Sequence, residues 1–343
     1  VGGPGAVFWM WIIALLGSAS AFVESTLAQL YKRKGKESFI GGPAYYMRYG
    51  LGLNWMGILF AILISVTFGF AFNSVQSNTI CAAMQGSFGF DPRIVGAVLT
   101  VLTLAIIFGG IQRIAKVSSV IVPVMALGYV ALASGIVLFN ITELPAVIKL
   151  IVSSAFGWEQ AAGGTIGAAL MQGIKRGLFS NEAGMGSTPH AHAMAKVSCP
   201  HEQGVVAMVG VFIDTFVVLT MTALVVISTL YAGNGILASG AAEGVSKTNM
   251  AQLAFSSIMG NTAGSLFVAI CLMFFAFSTI LGWNFFGRIN VEYLFGKKAT
   301  VVYSVLGVVF IFLGSCLSND LVWELSDLFN QLMVIPNALA LLA

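Results

Sequence analysis

Long stretches without a single Asp, Glu, Lys or Arg constrain this chain more than any motif in it. They cover residues 49–90, 94–112, 117–142, 215–242, 248–287 and 299–319. A helix needs about 20 apolar residues to cross the hydrocarbon core of a bilayer, and each stretch is that long or nearly so. Charged residues are 8% of the 343 and hydrophobic ones 58%, whereas an average soluble domain is roughly 25% charged. A soluble enzyme, a nucleic-acid binder and a disordered tail are excluded together, because each needs far more charge facing water. The chain reads as an all-α polytopic membrane protein, with membrane lipid as its surroundings.

Other bulk properties say less. The net charge of +3 implies no acidic partner beyond lipid headgroups. Cys81, Cys199, Cys271 and Cys316 lie far apart, form no metal or disulfide spacing, and read as core packing residues. The sequence starts at Val1 rather than Met, and Leu341–Ala343 closes inside a hydrophobic run. The expectation is a piece of a longer, transporter-sized chain.

Hydropathy places eight spans at about 6–29, 53–83, 94–112, 117–139, 204–230, 263–286, 300–318 and 321–342. A ninth candidate, 165–195, starts apolar but then carries Lys175, Arg176 and the run Ser180–Pro189, rich in small and polar residues. Such a run does not hold an uninterrupted helix. Loop charge decides whether it crosses, since cytoplasmic loops concentrate Lys and Arg. If 165–195 spans, and the basic loop 32–48 is cytoplasmic, eleven basic loop residues share one side and three the other; if not, Lys175 and Arg176 join the loops and the count is eight against eight. The broken segment therefore spans. A broken helix survives in hydrocarbon only where protein, water or a ligand satisfies its backbone. In secondary transporters such breaks bind substrate and ions at midplane. A channel with a re-entrant pore segment has a similar signature and is the alternative.

Three motifs bring in a resemblance. Gly2–Gly17 (GGPGAVFWMWIIALLG), Ser180–Ala195 (SNEAGMGSTPHAHAMA) with RGLF before it, and Phe275–Gly287 (FAFSTILGWNFFG) resemble the signatures of the alanine or glycine:cation symporter family, in the family's order over nearly the whole chain. The resemblance implies a cell-membrane carrier that brings in alanine, or the smaller glycine, with sodium as coupling ion. It also implies a five-plus-five inverted-repeat core, with 1–150 the remainder of the first repeat and 151–343 the second. In that scheme the spans are helices two to ten, and the first and last helices lie outside this sequence. No oligomeric state follows.

Sodium is a hard cation that prefers carbonyl and hydroxyl oxygens. Ser278 and Thr279 supply adjacent hydroxyls in the middle of span 263–286, and by resemblance this helix contributes to a sodium site. The bland alternative is that both hydroxyls bond back to helix carbonyls. Trp283, four residues beyond Thr279, shares its face and suits a small zwitterion as a wall of the substrate site. Asn284 is a weaker candidate. Phe179 and Asn181 line the break, where amides near Gly186–Thr188 would favour a substrate carboxylate. Glu182 meets an amino group or sodium, or else pairs with Arg176. Gln76, oriented by Asn73, is placed beside the pocket by the resemblance, and Asn78 needs partners in the same span. Asp214 is a functional candidate as an intramembrane acid. Glu24, near Lys32, is expected to snorkel to the interface.

His190, His192 and His201 raise a metal-dependent enzyme as a rival, but a two-residue spacing makes a poor zinc pair; packing at an inner gate fits them better. Gly41–Arg48 resembles the family's amphipathic connector, its tyrosines and Arg48 suited to the membrane interface. Arg113 and Lys116 fit a second cytoplasmic loop.

Overall fold

A computed structural model describes residues 2–35, 38–108, 111–157, 166–232, 235–238, 244–246 and 248–343, apart from the side chains of 111–113 and 115. From the N-terminus, α1 (Gly5–Leu30) leads through an antiparallel pairing of β1 (Arg33–Lys34) with β2 (Phe39–Ile40) to a short α2 (Pro43–Tyr49). α3 (Asn54–Val66) runs through a π-helical turn, Thr67–Phe72, into α4 (Asn73–Phe88). α5 (Pro92–Ile107), α6 (Ile111–Phe139) and α7 (Leu144–Ala155) follow. α8 (Ile166–Asn181) and α9 (Pro189–Met194) are the two halves of the broken segment. α10 (Pro200–Phe212) passes through a second π-helical turn, Ile213–Leu219, into α11 (Thr220–Leu230). The chain ends with α12 (Met250–Met259), α13 (Asn261–Phe295), α14 (Ala299–Cys316) and α15 (Asn319–Leu342).

Seven helices among the described residues are long and apolar enough to cross a membrane. The expected span 94–112 is α5, a helix of 16 residues, about 24 Å at 1.5 Å per residue. The expected loop around Arg113 and Lys116 is a correction: α6 begins at Ile111, so both belong to its first turns. α12 is a separate short helix within the uncharged stretch, set off from α13 by Gly260 at φ 87°. Outward faces are apolar: Ile94, Val98, Val101 and Leu102 of α5 and Val301, Val302, Val305 and Leu306 of α14 are exposed. In water such faces are an aggregation liability; in a bilayer they meet lipid. Cys81 and Cys271 are buried as expected, whereas Cys199 and Cys316 are exposed, each beside a helix end.

The position of the break is set by α1. This helix buries a row of small residues, Ala14, Gly17, Ala21 and Ala28, which lets neighbouring backbones approach closely. Along α1, the residues of the broken segment follow in rising order. Gly173 packs on Ala6 and Trp9, Gly177 on Ile13, Ala183 on Gly17, and Gly184 on Ser20. Gln29 then donates to the carbonyls of His192 and Ala195. The segment 166–195 thus runs parallel to α1 over its whole length, about 39 Å for 26 residues. A re-entrant segment would double back on one side; this one follows a spanning helix from end to end.

Element order also repeats. A long helix, a short helix, a helix of 35 residues (54–88 and 261–295), one of 16 or 18 residues, and a long helix with an internal proline, Pro123 or Pro336, occur twice. Counterparts pack antiparallel. Trp11 meets Thr220 while Thr26 meets Gly204; Gly57 meets Tyr293 while Ser87 meets Ser265; Gly96, early in α5, meets Ser315, late in α14.

Candidate functional site at the break of the 166–194 segment

Helix α8 stops at Asn181 because the next turn leaves helical backbone space. Glu182 has φ 55°, the one non-glycine residue with positive φ among the described residues, and Gly184 and Gly186 have φ 81° and 80°. The left-handed region costs a side chain about 1 kcal/mol or more, so glycine is the economical choice at two of the three positions. Asn181 holds the turn from beneath. Its Oδ1 accepts from the Ala183 amide at 3.0 Å and its Nδ2 donates to Thr215 Oγ1 at 3.1 Å. Below the turn, Pro189 starts α9. The buried His190 donates from Nδ1 to the Ser187 carbonyl and accepts at Nε2 from Asn290, both at 2.8 Å. Nδ1 thereby holds the turn before α9, and Nε2 ties α9 to α13. His192 donates from Nδ1 to Gln203 at 2.8 Å.

The amides of the break do meet a carboxylate, but it is the protein's own. Glu24, fully buried, accepts from Gly184 N and Gly186 N, both at 3.1 Å, and from Asn337 Nδ2 at 2.9 Å. This corrects the expectation that Glu24 snorkels toward Lys32. Lys32 instead donates to Gln29 and to the Ala195 carbonyl, beyond the end of α9. The reason is position: Glu24 faces the break, within reach of donors that no helix satisfies. Helices leave such amides unpaired at their ends.

Glu182 points the other way, into an aromatic cluster. It accepts from Ser187 Oγ and from the indole N–H of Trp283, each at 2.5 Å. Trp283 is buried, with ring centroids 4.8 Å from Phe72 and 5.9 Å from Phe179; Phe72 and Phe179 lie 5.0 Å apart. The pairing of Glu182 with Arg176 does not occur. Arg176 forms its ion pair with Asp327, joined by Lys175 at 3.5 Å, and its guanidinium lies 4.7 Å from the centre of Trp323. Trp323 in turn meets Phe179 at 5.3 Å, so Phe179 separates that ion pair from Trp283.

Among the other candidates, Thr279 and Ser278 are half-buried one turn before Trp283, and both donate to the Phe275 carbonyl, at 2.9 and 2.8 Å. Gln76 is half-buried one turn beyond Phe72 and shares its helix face. Asn73 does not orient Gln76. It is fully buried against Asn284, the two amides 3.4 Å apart, because α4 and α13 cross there. Asn78 donates to the carbonyls of Gly314 and Leu317 at the end of α14. Asp214 accepts from Ser180 at 2.8 Å and from Thr215 at 3.2 Å. With Arg176, Ser180, Thr222 and Tyr231 it lines a largely apolar cavity of about 420 Å³.

Phe72 joins the aromatic cluster, while Asn337 braces the break with Tyr46 behind it; none of the three is a site candidate in the sequence reading. An Asn following a Pro inside an apolar helix was the visible signal for Asn337. Tyr45 and Tyr46, expected at the membrane interface, are buried in protein. Tyr46 donates its hydroxyl to Asn337 Oδ1.

Comparison with known proteins points to the same family as the three motifs. The sodium:alanine symporter family model matches residues 1–343. Aligned over 99% of the chain and 70% of its own length, a Bacillus subtilis protein described as a probable sodium/glutamine symporter, GlnT, is 48% identical. The amino-acid carrier protein AlsT of the same organism is 46% identical over 99% of the chain and 71% of its length. The sodium/alanine symporter AgcS of Methanococcus maripaludis is 39% identical over the full chain and 75% of its length. With motifs, a broken spanning segment and a family match that all coincide, this chain belongs to the sodium:alanine symporter family, a family of membrane transporters and not of enzymes.

Proposed function

We propose that the protein carries alanine, with glycine as a smaller second substrate, into the cell together with sodium by alternating access at the break. The observation that carries this reading is the junction of Glu182 with Trp283 inside the Phe72–Phe179 cluster. A carboxylate beside aromatic rings suits an ammonium group, and closely set rings leave room for a methyl group better than for the longer amide side chain of glutamine. Phe179, Trp283, Thr279 and Gln76 line the substrate, and Asn181 shapes the floor. Ser278 and Thr279 supply sodium oxygens. Because Glu24 fills the amides of Gly184 and Gly186, the substrate carboxylate is held elsewhere.

A five-plus-five inverted repeat is supported by the repeated element order and by the antiparallel packing of counterpart helices. A cytoplasmic basic loop 32–48 is supported by the loop-charge count. One sodium crossing 100 mV releases about 2.3 kcal/mol, and a tenfold sodium gradient adds roughly 1.4 kcal/mol. That suffices for a substrate gradient of several hundredfold, so nucleotide hydrolysis is not needed.

The test is uptake of radiolabelled L-alanine by the intact protein in proteoliposomes, comparing inward sodium with inward potassium gradients, with glycine and glutamine as competitors. Accumulation with sodium alone, inhibited by glycine more than by glutamine, is the expected result. Stronger inhibition by glutamine overturns the substrate; equal uptake on a proton gradient overturns the ion.

A further inference from the structure

The network around Glu24 reaches further than the break. Asn337 Nδ2 donates both to Glu24 Oε2 and to the Gly184 carbonyl, each at 2.9 Å, so Gly184 is held through its N–H and its C=O together. Asn337 Oδ1 accepts from Tyr46 of α2. Glu24 and Asn337 are fully buried, and Tyr46 is 2% exposed. Every polar atom of the Asn337 amide is therefore engaged, and Gly184 cannot shift without moving Asn337 and, through it, Tyr46.

α2 touches the broken segment at two further points. A Cβ on Gly186 would lie 2.7 Å from Pro43 Cγ, and one on Gly42 would lie 2.5 Å from His190 Nε2. These are packing contacts, which can slide. The hydrogen bonds are directional, and in a low-dielectric interior they are strong and costly to leave unmade.

We propose that Glu24, Asn337 and Tyr46 form a positioning linkage that ties the backbone of the break to α2, so that rearrangement at the site and movement of the basic-loop side occur as one event. This rests on the reading of the break as the transport site. Glu24 and Asn337 position the Gly184–Gly186 backbone; Tyr46 carries the linkage to α2. A symporter needs such a tie: if the inner side opened independently of the site, sodium would leak without substrate.

Tyr46→Phe removes only the hydroxyl and leaves the buried ring in place. In proteoliposomes it is expected to keep substrate exchange, with both sides loaded, within about twofold of the native protein, the scatter of uncoupled changes. Sodium-driven net accumulation is expected to fall about fivefold to tenfold, the range for one lost buried hydrogen bond, and sodium flux without substrate to rise. Adding Tyr46→Phe to Asn337→Ala is expected to cost nothing more, since both cut the same link. Equal loss of exchange and accumulation in Tyr46→Phe, in proportion to the amount of folded protein, would overturn the linkage and leave a structural bond. Additive losses in the double variant would do the same. Native protein that accumulates no amino acid on a sodium gradient would instead overturn the transport reading beneath it.

Discussion

Trp283 donates its indole N–H to the carboxylate of Glu182, a residue 101 positions earlier in the chain. The bond joins the middle of α13 to a residue held at φ 55°. A non-glycine residue in that region persists only where its surroundings over-determine it. Here the surroundings are Ser187 on one carboxylate oxygen and Trp283 on the other. The arrangement fixes an acid and an indole side by side, at the centre of the aromatic cluster.

Trp283→Phe keeps an aromatic ring and removes the donor. Leaving a buried acceptor short of one bond costs about 1–3 kcal/mol. A rise of about tenfold in the KM for alanine is expected, with membrane protein abundance unchanged, measured by initial uptake rates. A normal KM would separate Trp283 from the substrate site.

Thr279→Ala is expected to raise the sodium concentration for half-maximal uptake by about tenfold, equivalent to about 1.4 kcal/mol. Its hydroxyl shares the Phe275 carbonyl with Ser278, so the helix keeps a bonded carbonyl and abundance stays near native. Sodium titration of alanine uptake checks this. An unchanged sodium response with normal uptake removes Thr279 from the ion site.

Gly186→Ala should abolish folded protein. Its φ is 80°, and a Cβ would lie 2.7 Å from Pro43 Cγ, 2.8 Å from Phe60 Cζ and 2.9 Å from Asn337 Cγ. Gly210→Ala, where a Cβ meets nothing within 4 Å, is the control and should stabilise the helix by roughly 0.5–1 kcal/mol. Monodispersity and yield after detergent extraction distinguish the two.

Asp327→Ala strands Arg176 and Lys175, whose side chains are only 16% and 28% exposed. Removing one partner of a fully buried pair costs about 3–5 kcal/mol; partial exposure reduces this to about 2 kcal/mol, and a lower melting temperature of the purified protein is expected. With Asp327 in place, Arg176→Lys should keep only part of the native stability, since lysine lacks the planar guanidinium that stacks on Trp323.

Much of this was legible in the chain itself. Uncharged stretches near 20 residues force spanning helices, because backbone polar groups in lipid must be satisfied within the segment. The density of Ser, Asn, Gly and Pro at 180–189 forces a break in one of them. What the sequence could not decide was which partners the break would meet. Asp214 and Glu24 look alike as acids inside apolar spans, yet Glu24 takes the freed amides and Asp214 takes Ser180. Glu182 was open between Arg176 and a cation until Asp327, far along the chain, claimed the arginine.

The local sequence thus determined where helices form and where one fails, since those depend on propensity and hydropathy within a few turns. Tertiary structure decided which partners the broken turn meets. The small-residue row of α1 let the 166–194 segment run against it, which set Glu24 beside Gly184 and Gly186. Packing of α13 and α15 then brought Trp283 to Glu182 and Asn337 to Gly184 of one turn. Contacts between residues a hundred or more positions apart carry no local signature, because they depend on how whole helix faces fit together.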